Sequence, residues 1–328
     1  MNPTRRLLCT FAACATLAAN AVAAQDWPAR PIRIIVPYPA GGNADSAARA
    51  IAEAITPSLK QPIVVENRPG ASTIIGTDAV ARAPADGYTL GLVTDSHAIN
   101  QALSQMPRAN EILGAKVPYD AVNDFVPVAG VALVPLVIVV HPKVQARTVK
   151  ELVELSRQNK GANFGTMGQG SPWFVHLHQL RKLTGGDFVD VSYKGLAPAA
   201  ADLLAGQIDM MLMPVHYAQQ YINTGKLVPI ATLSAQRHPL LPNVPTLAES
   251  GFPGLVITNY FMFVAPKGTP QAVVSRLSRE VNAALRQPAM KEKFSLTGDP
   301  YPAEPAELVI QLRHDIDAYG EVLRANLK

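Results

Sequence analysis

Short apolar runs alternate with segments of helical periodicity along most of the chain. Runs rich in β-branched residues occur at 32–36, 63–65 and 88–93, and each has the length of a buried strand. Between them, residues 46–59 and 74–83 repeat their apolar positions with helical spacing, and Asp45 stands where an N-cap belongs. Strand, helix and strand at this spacing predict a parallel sheet with helices on its faces.

The alternation resumes after a different stretch. Residues 126–131 and 136–140 predict two strands separated by Pro135. Beyond them we predict helices at 149–159, 172–183, 198–205 and 217–224, with strands at 163–164, 188–192, 210–214, 228–233 and 257–264. The tail from Pro270 is mostly helical in pattern. Two α/β units joined by two linkers predict two lobes, a ligand cleft and a two-segment hinge, with residues 25–131 plus 253–328 in lobe 1 and 132–252 in lobe 2.

The first 24 residues have the three parts of a secretory signal peptide. Arg5 and Arg6 precede an apolar run, and small residues at 21–24 supply a cleavage site. A membrane-spanning helix is the alternative, but the run is at or below the lower length limit and no charged stop-transfer flank follows. A twin-arginine signal and a lipid-modified Cys14 remain open as variants. We therefore predict an exported, periplasmic protein.

Removing that segment changes the chemistry available to the chain. Its two cysteines, Cys9 and Cys14, leave with it, so no disulfide, thiolate nucleophile or cysteine-based zinc site is expected. Arg5 and Arg6 also leave, and the remaining 27 basic residues nearly balance 25 acidic ones. The basic residues are scattered, which argues against a nucleic-acid partner. The 304 residues that remain suit about two domains.

Function is expected in the strand-to-helix loops, because ligands of open α/β sheets bind beyond the carboxyl ends of strands. Residues 37–45, the first loop, carry Tyr38, Ala40, Gly41 and Gly42 just before a predicted helix. Glycine backbone N–H groups and a helix N-terminus suit an anion. An ordinary glycine-rich turn is the alternative, since no GxGxxG fingerprint is present.

A Thr94-Asp95-Ser96-His97 sequence at the end of the third predicted strand raises the possibility of a hydrolase. Consecutive side chains point apart, however, and do not form an Asp–His–Ser relay. Thr94 and Ser96 therefore read as hydroxyl donors to a ligand. His97 is a candidate contact, with a packed, hydrogen-bonded histidine as the alternative.

The second lobe carries a matching pair of loops. Residues 165–171, the second loop, include Thr166 and Ser171 and precede a helix that opens at Pro172. Tyr193, Lys194 and Gly195 follow another strand, and Lys194 is either a partner for a carboxylate or a solvated surface lysine. Two such loops, one on each lobe, suit the two ends of a dianion.

The sequence lacks the motifs of common catalytic and metal-binding sites. HExxH and GxSxG are missing, and Gly225-Lys226 lacks the rest of a phosphate loop. His176 and His178 lie two residues apart on a predicted helix and face different ways. We expect no catalytic residue, no metal site and no cofactor.

These loops resemble those of the tripartite tricarboxylate transporter solute receptors, often called the Bug family. The similarity runs from about Trp27 to the C-terminal helices, and the set of segments in this order is specific although each alone is weak. The segments are WPARPIRIIVPYPAGGNAD, VVENRPGAS, ADGYTLGLVTDSHAIN, VPYDAVNDFVPVAGVA, GTMGQGS, VSYKGLAPAAADLLAGQIDMM, GKLVPIATLS, LPNVPTLAESGFPG and FVAPKGTP.

The resemblance implies a type II periplasmic-binding-protein fold that closes on a small carboxylate, by backbone N–H groups and bridging waters. It implies delivery to the membrane carrier subunits of a tripartite tricarboxylate transporter, and we expect a monomer. Carried over by position, the ligand contacts are Tyr38, Ala40, Gly41, Gly42, Thr94, Ser96, His97, Thr166, Ser171, Tyr193, Lys194 and Gly195.

Two departures from the family pattern bear on the ligand. Phe174 stands where many members have a histidine, beside Trp173, and the two rings either contact a ligand or pack in the lobe. Leu212 and Met213, followed by Pro214, stand where many members have Asp and Asn. An amino-acid ligand needs an acceptor for its ammonium group, so we expect a non-amino mono- or dicarboxylate, aliphatic or aromatic, and we add Phe174 to the candidate contacts.

Three classes of function remain to be compared. An uptake receptor binds its ligand stoichiometrically and releases no product, whereas a periplasmic hydrolase turns over an ester or amide. A receptor that reports to a two-component sensor kinase has the same site as an uptake receptor. The residues favour the uptake receptor.

Overall fold

The computed structural model describes residues 27–158 and 161–327, so the predicted signal peptide lies outside the described residues. The strands are β1 (Ile32–Val36), β2 (Ile63–Asn67), β3 (Thr89–Thr94), β4 (Phe125–Val140), β5 (Ala162–Thr166), β6 (Phe188–Ser192), β7 (Met210–Pro214), β8 (Val228–Thr232), β9 (Thr258–Pro266) and β10 (Asp299–Pro300). The helices are α1 (Asn43–Leu59), α2 (Ile74–Ala81), α3 (Ser96–Ser104), α4 (Ala109–Leu113), α5 (Val149–Gln158), α6 (Pro172–Thr184), α7 (Leu196–Leu204), α8 (Val215–Asn223), α9 (Gln271–Leu285), α10 (Pro288–Lys293) and α11 (Pro305–Asn326).

Lobe 1 is a three-layer sandwich around a sheet in the order β2-β1-β3-β9-β4, with β10 paired to β4. Its strands β1, β2 and β3 are parallel, as predicted, and β9 runs antiparallel to β3 and β4. Ile34, Ile51 and Leu277 lie in the core on one face, beneath α1 and α9. Ile35 and Ile99 lie in the core on the other face. Burial on both faces explains why β1 is an unbroken apolar run.

Lobe 2 repeats this arrangement around the second half of β4, followed by β7, β5 and β6, with β8 also paired to β4. Strands β5, β6 and β7 are parallel to one another. Phe164 and Leu177 belong to the core beneath α5 and α6, while Val139 and Leu203 belong to the core beneath α7 and α8. The α/β prediction with two lobes is confirmed for both units.

Strand β4 is one continuous strand, so the predicted break at Pro135 was wrong. Pro135 is the last residue of β4 that pairs with β9, and the next residue, Leu136, pairs with β7 in lobe 2. A proline, which has no N–H to donate, is therefore tolerated where the strand changes partners. The exact lobe boundaries stay a prediction, and the pairing leads us to propose crossings at 135/136 and 257/258 rather than at 131/132 and 252/253.

The sequence also missed two helices and one cap. Residues 94–98 were expected to form a loop, but α3 begins at Ser96, and α4 was not predicted. Asp45 is not the N-cap of α1; Gly42 holds that position and Asp45 lies in the first turn. None of the described helices is long and apolar enough to span a membrane.

Replacing Gly130 with alanine is expected to destabilise lobe 1. A Cβ at Gly130, in β4, would lie 2.3 Å from the carbonyl oxygen of Tyr301, which crosses the strand there. Overpacking of this kind costs about 1–3 kcal/mol, which denaturant unfolding monitored by circular dichroism measures. Gly42→Ala is the control, because its Cβ would meet only the Pro39 carbonyl oxygen, at 3.6 Å. Equal losses in the two variants would show that the segment around Tyr301 moves aside.

Candidate functional site

The first loop presents backbone N–H groups at the start of α1. Gly42 has φ −82° and ψ 172°, so it is an extended N-cap that leaves the helix open at its first turn. Among the described residues, the N–H groups of Gly42, Asn43 and Ala44 have no acceptor. These donors, together with the positive end of the helix dipole, suit an anion.

Gly41, by contrast, has a structural partner. Its N–H donates to Oδ2 of Asp45 at 2.9 Å, and its φ of +82° favours glycine. The structure therefore makes Gly41 a residue that shapes the first loop, whereas the Gly42 N–H stays free.

A buried charge network supports this loop from behind. Asp45 is 4% exposed and accepts from Arg49 Nε at 3.0 Å and from Asn67 Nδ2 at 3.0 Å. Asn67 also donates to the carbonyl oxygen of Tyr38 at 3.1 Å, so the network fixes both ends of the loop. Burial opposes ionisation of Asp45, but the hydrogen bonds from Arg49, Gly41 and Asn67 lower the pKa of that carboxyl.

Three hydroxyl groups form a cluster beyond the ends of β1 and β3. Tyr38 OH is 2.7 Å from Thr94 Oγ1 and 3.5 Å from Ser96 Oγ, and the Ser96 N–H donates to Thr94 Oγ1 at 3.1 Å. Burial raises the pKa of Tyr38 to about 12, so its hydroxyl keeps its proton. The structure thus brings Tyr38, Thr94 and Ser96 together at the ends of β1 and β3.

His97 turns away from these hydroxyl groups. It is 2% exposed, its Nε2 lies 3.1 Å from the carbonyl oxygen of Ala121, and its ring packs between Tyr119 and Phe125. Burial lowers the pKa of His97 to about 4, which keeps the ring neutral. The geometry matches the packed histidine that the sequence left as the alternative.

Hydroxyl groups hold the second loop in shape from inside. Thr166 Oγ1 donates to Oδ1 of Asp190 at 2.5 Å and accepts the Gly168 N–H at 3.2 Å. Ser171 is the N-cap of α6, because its Oγ donates to the Gly168 carbonyl oxygen at 2.6 Å and accepts the Phe174 N–H at 3.3 Å. Both side chains already have partners, so the donors this loop offers a ligand are backbone N–H groups.

The aromatic pair at the start of α6 packs within the protein. Phe174 is 5% exposed, belongs to a core cluster of lobe 1, and lies edge-on to His178 with ring centroids 4.5 Å apart. Trp173 is half-buried and donates from Nε1 to the carbonyl oxygen of Leu212 at 2.8 Å. Of the two alternatives left open by the sequence, the geometry favours packing for Phe174.

Residues 193–195 connect β6 to α7. Tyr193 donates its hydroxyl proton to Oδ2 of Asp202 at 2.9 Å, which occupies its polar end. Lys194 is exposed and has no hydrogen bond or ion pair to any described residue. Gly195 precedes α7 with φ +131°, a conformation that L side chains rarely adopt.

The two lobes meet at the loops. A Cβ at Gly170, in the second loop, would lie 3.2 Å from Leu113 Cδ2 and 3.6 Å from Ser72 Oγ, both in lobe 1. The second loop of lobe 2 therefore packs against lobe 1 at these two residues. Sequence reasoning missed Asp190, Ser72 and Leu113 because they join the site only through tertiary contacts.

The comparisons with known proteins agree with this geometry. Residues 47–318 match the family described as tripartite tricarboxylate transporter family receptor. The chain is 38% identical over 330 residues to protein BugT of Bordetella pertussis, covering 99% of this chain and 98% of that protein. The chain belongs to this receptor family. It is a solute-binding receptor, not an enzyme.

Solved structures show the same two-lobed architecture. The periplasmic binding protein BugD is 32% identical with a TM-score of 0.75, covering 91% of this receptor and 98% of that chain. Rpa4515 of R. palustris, solved with adipate, is 30% identical with a TM-score of 0.79, over 91% and 98% of the two chains. The predictions of fold, family and non-enzymatic function are confirmed.

Proposed function

We propose that this receptor is exported to the periplasm and captures a non-amino mono- or dicarboxylate, aliphatic or aromatic, for a tripartite tricarboxylate-type uptake system. The observation that carries the proposal is the start of α1, where the N–H groups of Gly42, Asn43 and Ala44 lie free. The hydroxyl groups of Tyr38 and Thr94, 2.7 Å apart, lie at the ends of the paired strands β1 and β3.

Neutral donors at this position suit a carboxylate well. The negative charge of Asp45 is balanced by Arg49, whose Nη2 lies 2.9 Å from Oδ1 of that carboxylate. The dipole of α1 contributes about 0.3–1 kcal/mol to an anion, and each hydrogen bond to a charged group about 1.5–3 kcal/mol. Three such bonds contribute about 4.5–9 kcal/mol, the same order as the roughly 8 kcal/mol of a micromolar receptor, and burial of the ligand's apolar part has to offset the cost of immobilising it.

The proposed contacts are a subset of the residues expected from the sequence. Tyr38, Ala40, Gly42, Thr94 and Ser96 come from lobe 1, and Lys194 and Gly195 come from lobe 2. Gly41, Thr166, Ser171 and Tyr193 position the loops. His97 and Phe174 are left out because their rings pack against other aromatic rings of the protein.

The end of β7 supports a ligand without an ammonium group. Leu212 and Met213 are fully buried and apolar, and Pro214 follows them as the last residue of the strand. These side chains offer no oxygen to accept hydrogen bonds from an ammonium group. The adipate bound to the related Rpa4515 is likewise a dicarboxylate without an amino group.

Thermal shift followed by calorimetry on a panel of carboxylates tests the ligand class. We expect stabilisation by aliphatic or aromatic mono- or dicarboxylates and none by their uncharged methyl esters, since esters lose the charge that the N–H groups recognise. Binding at 100 times Kd stabilises the protein by about 2.7 kcal/mol. Stabilisation by an amino dicarboxylate alone would contradict the ligand class, and no response to any carboxylate would contradict the function.

Export and delivery need separate experiments. Sequencing the amino terminus of the protein recovered from the periplasm distinguishes cleavage before Gln25 from lipid modification at Cys14. Uptake of radiolabelled ligand that stops when the membrane carrier subunits are deleted supports transport. If deleting the receptor leaves uptake unchanged but abolishes a transcriptional response to the ligand, the protein is instead a receptor for a sensor kinase.

A further inference from the structure

Two buried histidines of lobe 2 face one carboxylate of lobe 1. His216 lies in the first turn of α8 and His238 follows β8, and they are 7% and 6% exposed. Asp299 lies in β10, with Oδ2 3.2 Å from His238 Nε2 and Oδ1 3.6 Å from His216 Nε2. We name these three residues the His–Asp clasp.

The backbone of lobe 1 places Asp299 at the hinge. Strand β10 pairs Asp299 with Leu133 and Pro300 with Ala132, just before β4 enters lobe 2. A Cβ on Gly298 would lie 2.2 Å from the carbonyl oxygen of Leu133, so a glycine is needed for β10 to approach β4 this closely. The clasp therefore lies next to the point where β4 and β9 pass from one lobe to the other, and β10 continues this hinge line.

By distance, the same three residues would fit a divalent cation, because one ligand atom from each lies within 4.8 Å of the others. The hydrogen bonds of His238 argue against that occupant. Its Nδ1 accepts the Leu240 N–H at 3.2 Å, so in the neutral ring the proton sits on Nε2 and points to Asp299. A metal-ligating histidine has the reverse arrangement, with a lone pair on the ligating nitrogen and an N–H donor on the other.

The charge distribution also fits a hydrogen-bonded carboxylate. Burial opposes ionisation of Asp299, but the nearby His216 ring and the hydrogen bond to His238 hold the pKa of that carboxyl well below its usual range. Nδ1 of His216 is buried without a partner. Burying an unpaired lone pair on Nδ1 costs less free energy than burying an unpaired N–H. The His216 proton is therefore on Nε2, which faces Asp299.

We propose that the His–Asp clasp is a further connection between the lobes, beside strands β4 and β9 and the packing of α6 on α11, where His176 lies against Tyr319, and that it limits how the lobes swing apart. If lobe 2 twisted or moved away at this edge, two imidazole N–H groups would lose a charged acceptor. Bending about the β9–β4–β10 line leaves the clasp intact and is the opening motion that we expect. Asp299, His216 and His238 are positioning residues for closure and do not contact the ligand.

The distance between the lobes can be measured directly in the ligand-free protein. The chain from Gln25 contains no cysteine, so spin labels at Ser58→Cys on α1 and Gln220→Cys on α8, both exposed positions, report on one lobe each. Double electron–electron resonance then gives the distribution of interlobe distances at pH 7.5 with EDTA present. No ligand is required, so the result is independent of the proposed carboxylate function.

We expect a narrow distribution in the labelled parent and a broader one, shifted by several ångströms, in Asp299→Ala and His238→Ala. His238→Gln retains an N–H donor of similar reach and is expected to restore the narrow distribution. Circular dichroism shows whether each variant is folded, and Asp299→Asn, which keeps an acceptor but loses the charge, provides an intermediate case if Asp299→Ala unfolds. Identical distributions in the parent, Asp299→Asn and His238→Ala would overturn the clasp. The clasp would also be overturned if Zn²⁺ narrowed the distance distribution only when all three residues are present and EDTA reversed the effect, because that result would show a metal site.

Discussion

Replacing Gly42 with valine is expected to raise the Kd for the carboxylate at least about 100-fold, which corresponds to a loss of roughly 2.7 kcal/mol of binding free energy. The Gly42 backbone is extended and exposed at the mouth of the first loop, with its N–H and those of Asn43 and Ala44 free. A branched side chain there occupies the volume in which an anion would approach those three donors. Calorimetry with the best carboxylate from the panel measures the loss.

The fold should survive this change, because a Cβ at Gly42 would meet only the Pro39 carbonyl oxygen at 3.6 Å and φ is −82°. Exchanging the N-cap costs about 1 kcal/mol of stability or less. Ala235→Val is the matched control: it adds a branched side chain at an exposed position without positive φ, far along the chain from either loop. Undiminished binding by Gly42→Val would show that the ligand does not approach the start of α1.

Much of the fold follows from local patterns. Strands β6 and β7 lie where the apolar runs place them, and α1 has the predicted buried face because Ala47, Ile51 and Ile55 recur at helical spacing. The errors occur where tertiary contacts overrule local preference. Pro135 reads as a break, yet β4 continues through it because the strand changes partners at that residue.

The site was predicted less completely, for a physical reason. Glycine-rich loops before helices mark where free N–H groups collect, and this pattern is why the sequence points to the first and second loops. Local sequence does not show which polar groups are already satisfied by distant residues. Gly41 and Thr166 bond to Asp45 and Asp190, and His97 bonds to the Ala121 carbonyl oxygen, so these groups shape the protein.

Replacing Asp95 with asparagine is expected to raise the free energy of unfolding at pH 8 and to change it little at pH 4. Asp95 is 2% exposed and its Oδ2 has no hydrogen-bond partner. Burial, together with the nearby Asp315, raises the pKa of Asp95 to about 7 from 3.8. In the unfolded chain the Asp95 carboxyl ionises near its ordinary pKa, whereas in the folded protein it stays protonated up to about pH 7. The contribution of Asp95 to stability is therefore fully present below pH 4 and is lost as the pH rises through about 7. At about 1.4 kcal/mol per pKa unit, the variant gains on the order of 4 kcal/mol at pH 8.

Denaturant unfolding of the parent and Asp95→Asn at pH 4, 6 and 8 measures this difference, and Asp45→Asn supplies a control of opposite sign. Hydrogen bonds outweigh burial and lower the pKa of Asp45, so its contribution to stability is present above the unfolded pKa and is lost as pH falls through the folded value. Asp45→Asn should therefore destabilise at pH 8, with a smaller loss toward acid pH. If Asp95→Asn instead destabilises the protein at every pH, Asp95 is ionised in the fold.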